Sequence, residues 1–208
     1  MIKLLIVDDH FLIREGLKKT LRPEKDMHVV GELEKGTQTI DFLRKNECDI
    51  IILDVNLPDR NGLEILKDVK AIMPDIHVLM LSGYPEEEFA VRAIKAGASG
   101  YITKDRAPDE LIKAIRKSFN GGRYISEQLG EQLASGLNSG FSEQLHDKLS
   151  DRELQVLSMI GSGKSTNEIA NSLSVSSSTV NTYKSRILEK MNFDSSSQMI
   201  RYAIKYNL

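Results

Sequence analysis

Polar side chains follow several short apolar runs in the first half of the chain. KLLIV, DIIIL, HVLML and GYI are each followed at once by an acid, a hydroxyl or an amine. If these runs are strands of a parallel sheet, their carboxyl ends meet at one edge, where open α/β sheets carry their functional crevice. We therefore expect one polar pocket that is built from Asp8, Asp9, Asp54, Ser82, Thr103 and Lys104.

The composition of this pocket indicates phosphoryl chemistry on a carboxylate. Carboxylates about 4 Å apart repel by roughly 4 kcal/mol per pair at an effective dielectric near 20, so the cluster requires a cation. Mg²⁺ is the natural candidate because it prefers carboxylate, water and phosphate oxygens. One carboxylate can then attack phosphorus and form an acyl phosphate, with Ser82 bonding a phosphoryl oxygen. Taken singly, Asp8 or Asp9 could cap a helix and Lys104 could be a surface residue, so the prediction depends on their joint occurrence.

The stretch GSGKST in the C-terminal part resembles a piece of a nucleotide-binding phosphate loop. That loop needs an earlier glycine and a preceding strand, whereas here Ser158 takes the glycine position and the preceding apolar residues recur at helical spacing. Ser150 with Glu153, and Ser165 with Glu168, have the spacing of capping boxes at two successive helices. The stretch is therefore predicted to be the turn of a helix-turn-helix.

The elements around the pocket alternate between strands and helices. Five short aliphatic runs are each followed by a longer amphipathic segment across residues 1–120. This alternation, with nearly unbroken apolar runs such as DIIIL, predicts a parallel, doubly wound sheet with helices on both faces.

The rest of the chain differs in character. Residues 121–146 are rich in Gly, Ser and Gln and are predicted to be a linker, with a possible short helix over 127–134. After them the pattern predicts a small all-helical domain over residues 147–208 and no strand. Its helical segments are predicted at residues 150–160, 166–173, 177–191 and 196–206.

The composition excludes several classes of protein. With 208 residues, 40% hydrophobic and 28% charged, the chain has room for two globular domains, and it contains no apolar run long enough to span a membrane. We expect a cytoplasmic protein without a membrane partner. The single cysteine, Cys48, excludes an internal disulfide. We find no evident partner for His10, His28, His77 or His146 and expect each on the surface or at a cap.

The motifs LLIVDDH, LDVNLPDRNG, LSG and YITKD, in this order, resemble the receiver domain of bacterial two-component response regulators over residues 1–120. The resemblance implies a flavodoxin-like sheet of order 2-1-3-4-5 and a sensor histidine kinase as phosphoryl donor. It also implies a role for each pocket residue: Asp54 as phosphoacceptor; Asp8, Asp9, Asp54 and the backbone carbonyl of Asn56 as Mg²⁺ ligands; Ser82 and Tyr101 as the switch pair; and Lys104 as the phosphoryl contact.

The segment from Lys148 to the end is similar to the helix-turn-helix of NarL/FixJ regulators, also called LuxR-type. In SSSTVNTYKSRILEKM the apolar residues Val180, Ile187, Leu188 and Met191 share one helical face, which leaves a polar face for the major groove. The resemblance implies double-stranded promoter DNA as partner and a homodimer. The candidate DNA-contacting residues are Ser177, Thr179, Asn181, Thr182, Lys184, Ser185, Arg186 and Lys190.

Together these observations predict a transcription factor rather than an enzyme. Its covalent chemistry would be self-phosphorylation and self-dephosphorylation on Asp54, and phosphorylation would control either release of the helical domain or dimerisation. Two alternatives remain open. The pocket could belong to a magnesium-dependent phosphohydrolase, although the second acid of such enzymes is replaced by Asn56. The helical domain could bind protein instead of DNA.

Overall fold

The computed structural model describes residues 1–84, 86–127, 129–131, 133, 134, 144–206 and 208, without the side chains of residues 86–88. The chain divides into two compact units, Met1–Leu133 and Ala134–Leu208. Within the described ranges, no helix has both the length and the apolar character that crossing a bilayer would require.

A five-stranded parallel sheet forms the centre of the first unit, in the order β2-β1-β3-β4-β5. Its strands are β1 (Ile2–Val7), β2 (Met27–Leu33), β3 (Ile50–Asp54), β4 (His77–Ser82) and β5 (Gly100–Thr103). Every residue of β3 is buried, because helices cover both faces of the central strands. The predicted fold class and strand order are confirmed.

Five helices accompany the strands in this unit: α1 (Phe11–Leu21), α2 (Thr39–Leu43), α3 (Gly62–Ile72), α4 (Glu86–Lys95) and α5 (Ala107–Phe119). Helices α1 and α5 cover one face of the sheet, where Leu17 and Leu111 join a core with Ile6, Ile52 and Leu81. The alternate strand residues, such as Leu5 and Ile51, are also buried.

Helix α2 is shorter than the predicted segment TQTIDFLRK. The chain enters it through a 3-10 turn, Gly36–Gln38, rather than through regular helix. Asp59 holds this turn, since its carboxylate accepts hydrogen bonds from the backbone N–H of Gly36 and Thr37, both at 3.0 Å. This contact joins residues distant in sequence, so the local pattern could not indicate it.

The first part of the predicted linker packs within the first unit. The Tyr124 N–H donates to the Ser99 carbonyl at 2.7 Å, and Leu129 is 1% exposed. Residues 127, 129–131, 133 and 134 are helical, where a short helix was predicted. The rest of that prediction, residues 128 and 132, and residues 135–143 of the predicted linker lie outside the described residues.

The regular elements in the described part of the second unit are all helical. After a 3-10 turn at Leu145–Lys148 come α6 (Asp151–Gly161), α7 (Thr166–Ser172), α8 (Ser177–Met191) and α9 (Ser196–Lys205). Their shared core contains Leu157, Ile169, Val180, Ile187 and Met199, all at 0% exposure.

The apolar residues of α9 are divided between the core and the surface. Met199 and Ala203 are fully buried, whereas Ile200 and Ile204 are exposed. Of these four apolar residues, Met199 and Ala203 therefore close the core.

Both predicted capping boxes are present. The Ser150 hydroxyl accepts from the Glu153 N–H at 3.3 Å, and the Glu153 carboxylate accepts from the Ser150 N–H at 2.8 Å. Ser165 and Glu168 form the same pair of bonds at the start of α7. Between the two helices Gly163 has a φ of +84°, which glycine adopts readily. GSGKST is thus the turn between two helices, as predicted.

Candidate functional site

Four strands bring polar groups together at the carboxyl edge of the sheet. Asp8 follows β1, Asp54 ends β3, Ser82 ends β4, and Lys104 follows β5. Asp8 and Asp54 are fully buried. Lys104 Nζ lies 2.7 Å from Asp54 Oδ2 and 2.8 Å from Asp8 Oδ2, so one ammonium group bridges the two carboxylates. Of the six residues predicted for one pocket, Asp8, Asp54 and Lys104 are therefore in direct contact, and Ser82 ends the strand beside Asp54.

The backbone beyond β3 presents Asp54 to this pocket. The Asn56 N–H donates to Asp54 Oδ1 at 3.0 Å, and the Gly62 N–H donates to the Val55 carbonyl at 2.9 Å. A Cβ at position 62 would lie 2.1 Å from the Asp54 carbonyl oxygen. Glycine is therefore required there, because any larger residue would push the start of α3 away from the Asp54 backbone.

The charges of the pocket are only partly balanced. Burial raises the pKa of Asp54 from 3.8 to about 6; Lys104 opposes this shift and Asp8 adds to it. Burial by itself lowers the pKa of Lys104, but the Asp54 and Asp8 carboxylates outweigh that effect and raise it. The site thus contains more negative charge than one lysine neutralises, which is the condition under which a cation binds.

His10 also belongs to this pocket, which the sequence patterns did not indicate. Its Nδ1 atom lies 3.1 Å from Asp8 Oδ1, 3.0 Å from Asp9 Oδ1 and 4.0 Å from Asp54 Oδ2. His10 does stand at the cap of α1 with its side chain 55% exposed, as expected. The expectation that it has no partner was wrong, because its position in sequence next to two acids carries no information about ring direction.

His77 and His146 have partners as well. The His77 ring lies 3.3 Å from the Ser99 hydroxyl, and the His146 ring lies 3.0 Å from the Tyr202 hydroxyl. Both contacts join residues that are far apart in the chain, which no local pattern indicates, so the expectation that these histidines have no partner was also wrong.

The acid cluster fits a divalent cation. Asp8, Asp9, His10 and Asp54 each offer one ligand atom, and these atoms all lie within 4.8 Å of one another. Asp9 Oδ1 is buried and accepts no well-aligned hydrogen bond from the described residues, although His10 Nδ1 lies 3.0 Å away. A buried oxygen without a donor carries an uncompensated desolvation cost, which a bound cation removes.

Arg14 is a second residue that the sequence did not single out. Its side chain is 6% exposed; Nη1 donates to the Asp8 backbone carbonyl at 2.7 Å, and Nη2 donates to the Glu34 carboxylate at 2.7 Å. A buried guanidinium with both partners in place fixes the chain where it leaves β1. Arg14 therefore positions the backbone of the acid pair.

Tyr84 links Ser82 to Tyr101 through two hydrogen bonds. The Tyr84 N–H donates to Ser82 Oγ at 2.9 Å, and the Tyr101 hydroxyl donates to the Tyr84 carbonyl at 3.3 Å. The Ser82 hydroxyl hydrogen is not used in this bond and can be donated elsewhere. A displacement of Ser82 would therefore disturb the hydrogen bonds of the segment after β4 and of Tyr101.

Helix α8 presents a polar face of the second unit. Asn181, Thr182, Ser185 and Arg186 are exposed, and their i, i+4 spacing places them on one side of the helix. The hydroxyls of Thr182 and Ser185 donate to the carbonyls of Ser178 and Asn181 at 3.1 Å each, so these side chains lie flat on the helix. The face is open to a partner and preorganised by local bonds.

The other candidates on α8 make contacts within the unit. Ser177 donates to the Asn167 side chain at 2.8 Å, and the Thr179 hydroxyl lies 2.8 Å from that of Ser176. Lys184 Nζ lies 3.4 Å from the Thr166 hydroxyl.

Lys190 forms the shortest of these contacts. Its Nζ lies 2.6 Å from Glu153, the buried capping residue of α6. Burial alone would raise the pKa of Glu153, but Lys190 and the bonds from Ser150 lower it below its ordinary value.

Two families match this chain. Residues 4–116 match the family described as "Response regulator receiver domain", and residues 147–203 match "Bacterial regulatory proteins, luxR family". Over its full length the chain is 35% identical to the response regulator UvrY of Escherichia coli K12, covering 96% of that protein. It is 36% identical to the response regulator GacA of Pseudomonas aeruginosa, covering 98% of it.

The chain belongs to the NarL/FixJ family of response regulators. It is a component of a two-component system, with a receiver domain and a LuxR-type helix-turn-helix domain.

Solved structures of RcsB share this architecture. An RcsB structure from Salmonella typhimurium is 23% identical to this chain and superposes with a TM-score of 0.71. The match covers all of this chain and 98% of the RcsB chain, which shows a common fold. Another, 26% identical with a TM-score of 0.65, covers 97% of this chain and 98% of its own. That RcsB was solved bound to the promoter rprA in the presence of the phosphomimetic BeF3⁻.

Proposed function

We propose that this response regulator accepts a phosphoryl group on Asp54 from a sensor histidine kinase and that the acyl phosphate controls binding of the helical domain to promoter DNA. The observation that carries the proposal is the Asp54 carboxylate. It is fully buried, lies 2.7 Å from Lys104 Nζ, and shares its pocket with a second buried acid. Such a carboxylate is shielded from bulk water and faces groups that stabilise phosphoryl charge.

Mg²⁺ would be held by the Asp8, Asp9 and Asp54 carboxylates and by the backbone carbonyl of Asn56. When bound, it supplies positive charge that reduces repulsion between the carboxylates and the incoming phosphoryl oxygens. The clustering of the three carboxylates with His10 and the raised pKa of Asp54 both support a cation at this position.

The transfer itself uses residues of the chain. An Asp54 carboxylate oxygen attacks phosphorus, an O–P bond forms, and the P–N bond of the donor phosphohistidine breaks. The electron pair of that bond leaves on the imidazole nitrogen, which takes up a proton. Lys104 donates to a phosphoryl oxygen from one side, and the Ser82 hydroxyl donates from the other.

The switch follows from the Ser82 bond. When Ser82 turns to a phosphoryl oxygen, the bonds that join it through Tyr84 to Tyr101 must rearrange. Phosphorylation changes the populations of the two arrangements only to the extent that the phosphoryl group interacts differently with each of them. The contacts of Ser82 and Lys104 provide this difference. We propose that the shift acts through release of the helical domain or through dimerisation. Sedimentation of the phosphorylated form distinguishes these routes, since only dimerisation doubles the mass.

The exposed face of α8 is proposed to enter the major groove. Asn181 can bond adenine with two hydrogen bonds, Thr182 and Ser185 are adaptable donors, and Arg186 reaches phosphate or guanine. We further propose that Ser177, Thr179 and Lys184, at the start and edge of this helix, contact the DNA backbone. The promoter complex of RcsB supports DNA as the partner of this domain. We also propose a homodimer on DNA, with half-sites about one helical turn apart where the DNA is palindromic.

We propose residues 1–120 as the receiver domain, 121–146 as the linker and 147–208 as the DNA-binding domain, in line with the matched ranges. A kinase and promoter DNA meet the protein in the cytoplasm, which is the proposed location. The covalent chemistry proposed for the chain is limited to gain and loss of the phosphoryl group on Asp54.

Intact-mass analysis after incubation with acetyl phosphate tests the proposal. We expect wild type to gain the mass of one phosphoryl group only with Mg²⁺, and Asp54→Asn to gain none. Asp75→Asn is the matched control, because Asp75 is an exposed acid in a surface turn and should leave labelling unchanged. Labelling of Asp54→Asn would contradict the assignment. So would a folded wild type that neither becomes labelled nor, in a separate experiment, binds beryllofluoride.

Two further assays separate the alternatives. Sustained turnover of phosphate esters would favour a phosphohydrolase, despite Asn56 in place of its second acid. Retention on DNA that is weak and unaffected by salt would favour a protein partner for the helical domain, because phosphate contacts make binding fall steeply with salt.

A further inference from the structure

His10 lies on the open side of the acid pocket, with its ring turned towards the carboxylates. Its Nδ1 atom is at 3.1 Å from Asp8 Oδ1 and 3.0 Å from Asp9 Oδ1. The same atom is 4.0 Å from Asp54 Oδ2. In the metal-free structure Nδ1 is within hydrogen-bond distance of Asp8, and Lys104 Nζ lies 3.5 Å from it.

These separations match those between ligands of one metal ion. Two ligands at right angles with bonds of about 2.1 Å are about 3.0 Å apart, and two opposite ligands are about 4.2 Å apart. The separations of Nδ1 from Asp8 and Asp9 correspond to adjacent positions, and its separation from Asp54 is close to that of opposite positions. One ion could therefore contact all four side chains with small adjustments.

The backbone under His10 is held firmly, while its ring is free to adjust. The His10 N–H donates to Asp8 Oδ1 at 2.8 Å, and the His10 carbonyl accepts from the N–H groups of Ile13 and Arg14 at 3.1 and 3.2 Å. The ring itself is 55% exposed. It can therefore approach or leave the pocket without disturbing the core.

We propose that His10 is a specificity-determining metal ligand, which gives the pocket a nitrogen donor for borderline first-row cations such as Co²⁺, Ni²⁺ and Zn²⁺. Imidazole nitrogen suits these ions, whereas Mg²⁺ prefers oxygen and retains water in its remaining positions. With Mg²⁺ the ring is not a ligand and turns to solvent. The inference rests on the proposed function, since it takes the same pocket to be the metal site of a phosphoacceptor.

Calorimetric titration of tag-free, chelator-treated protein with Co²⁺ and with Mg²⁺ tests the inference. We expect His10→Ala to weaken Co²⁺ binding by about tenfold or more, and Mg²⁺ binding by less than about twofold. His28→Ala is the matched control, because His28 is exposed on β2 and should change neither affinity. His10→Gln, which keeps a polar chain but no imidazole, should behave like His10→Ala and guards against an effect of alanine on the start of α1.

A spectroscopic readout tests ligation directly. Long-range ¹H–¹⁵N spectra of the imidazoles with Zn²⁺ should show a shift of the His10 Nδ1 resonance that Mg²⁺ does not produce. An unshifted Nδ1 with Zn²⁺ bound, or equal losses of Co²⁺ and Mg²⁺ affinity in His10→Ala, would overturn the inference.

Phosphorylation in the presence of Mg²⁺ distinguishes failure of the role of His10 from failure of the proposed function. If His10→Ala is labelled on Asp54 like wild type and its Co²⁺ affinity is unchanged, the role of His10 fails and the phosphoacceptor stands. If wild type neither binds Mg²⁺ nor becomes labelled, the proposed function fails, and the inference fails with it.

Discussion

The pocket of the first unit and the exposed face of α8 place functional groups in opposite ways. In the pocket, Asp8, Asp54 and Ser82 are fully buried and each is held by contacts from other strands or loops. On α8, Asn181 and Arg186 are exposed. The pocket keeps charges where water cannot screen them, and the helix presents polar groups that water solvates until a partner arrives.

This difference determines how each region responds to substitution. Removal of one charge in the pocket leaves another buried charge without a partner, so stability and chemistry change together. Removal of an exposed side chain on α8 leaves the fold nearly unchanged, because surface substitutions usually alter stability by less than about 0.5 kcal/mol. Stability measurements should therefore separate the two regions before any functional assay does.

The largest expected effect is that of Lys104→Met in metal-free protein. Lys104 is 15% exposed on its side chain and bridges the carboxylates of Asp8 and Asp54. Loss of one partner from a buried pair costs about 3–5 kcal/mol, so we expect the free energy of unfolding in urea with a chelator present to fall by about that much. Mg²⁺ should restore part of it, because the cation replaces the missing charge.

Lys19→Met is the control, since Lys19 is exposed on α1 and makes no pair with the pocket. Its free energy of unfolding should stay within about 0.5 kcal/mol of wild type. If Lys104→Met were as stable as Lys19→Met, the pocket would behave like the surface of α8, and the comparison would fail.

A smaller effect concerns Asp54 and pH. Burial raises its pKa from 3.8 to about 6 in the folded protein, so the folded state holds this proton more tightly than the unfolded state does. The resulting stabilisation is present below about pH 4 and is lost as the pH rises through about 6. Without metal, the free energy of unfolding of wild type should therefore drop relative to Asp54→Asn by about 2 kcal/mol between pH 4 and 7.

Urea titrations of both proteins across this range provide the measurement. Asp75→Asn, which removes an exposed acid, should run parallel to wild type. A pH-independent gap between Asp54→Asn and wild type would contradict the raised pKa and show that Asp54 is as well solvated as a surface acid.

The smallest expected effect concerns two basic residues of α8, Lys190 and Arg186, that differ in their contacts. Lys190 is paired with the buried Glu153 at 2.6 Å, whereas Arg186 is exposed on the polar face. The Lys190 side chain is 40% exposed, so solvent screens the pair, and Lys190→Met should lower the free energy of unfolding by about 1 kcal/mol or less. Its effect on the salt dependence of DNA binding should be small.

Arg186→Met should show the reverse pattern. We expect an unchanged free energy of unfolding. The slope of log affinity for DNA against log salt concentration should fall by the contribution of about one phosphate contact. Binding to a labelled duplex at several salt concentrations measures this. If Lys190→Met reduced the salt dependence as much as Arg186→Met did, Lys190 would contact DNA directly and its pair with Glu153 would be broken in the complex.

Much of the fold was predictable because its signals are local. Apolar periodicity located the strands and helices, Ser150 and Ser165 marked helix starts, and parallel strands had to bring Asp8, Asp54 and Lys104 to one edge. Helix α2 begins later than predicted because Asp59, far along the chain, holds the preceding residues Gly36 and Thr37 in a 3-10 turn. The patterns missed His10 and Arg14, whose roles depend on the direction of their side chains. They also missed Tyr84, whose backbone N–H and carbonyl link Ser82 to Tyr101.

The sequence by itself determined the two classes of site: acids and a lysine at the ends of strands, and a polar face on a helix that follows a glycine turn. These depend on residue order and on the fixed periods of strand and helix. Only the tertiary structure decided that the His10 ring faces the acids, that Arg14 holds the Asp8 carbonyl, and that Lys190 pairs with Glu153. Such contacts depend on rotamers and on packing between distant segments, which no local pattern encodes.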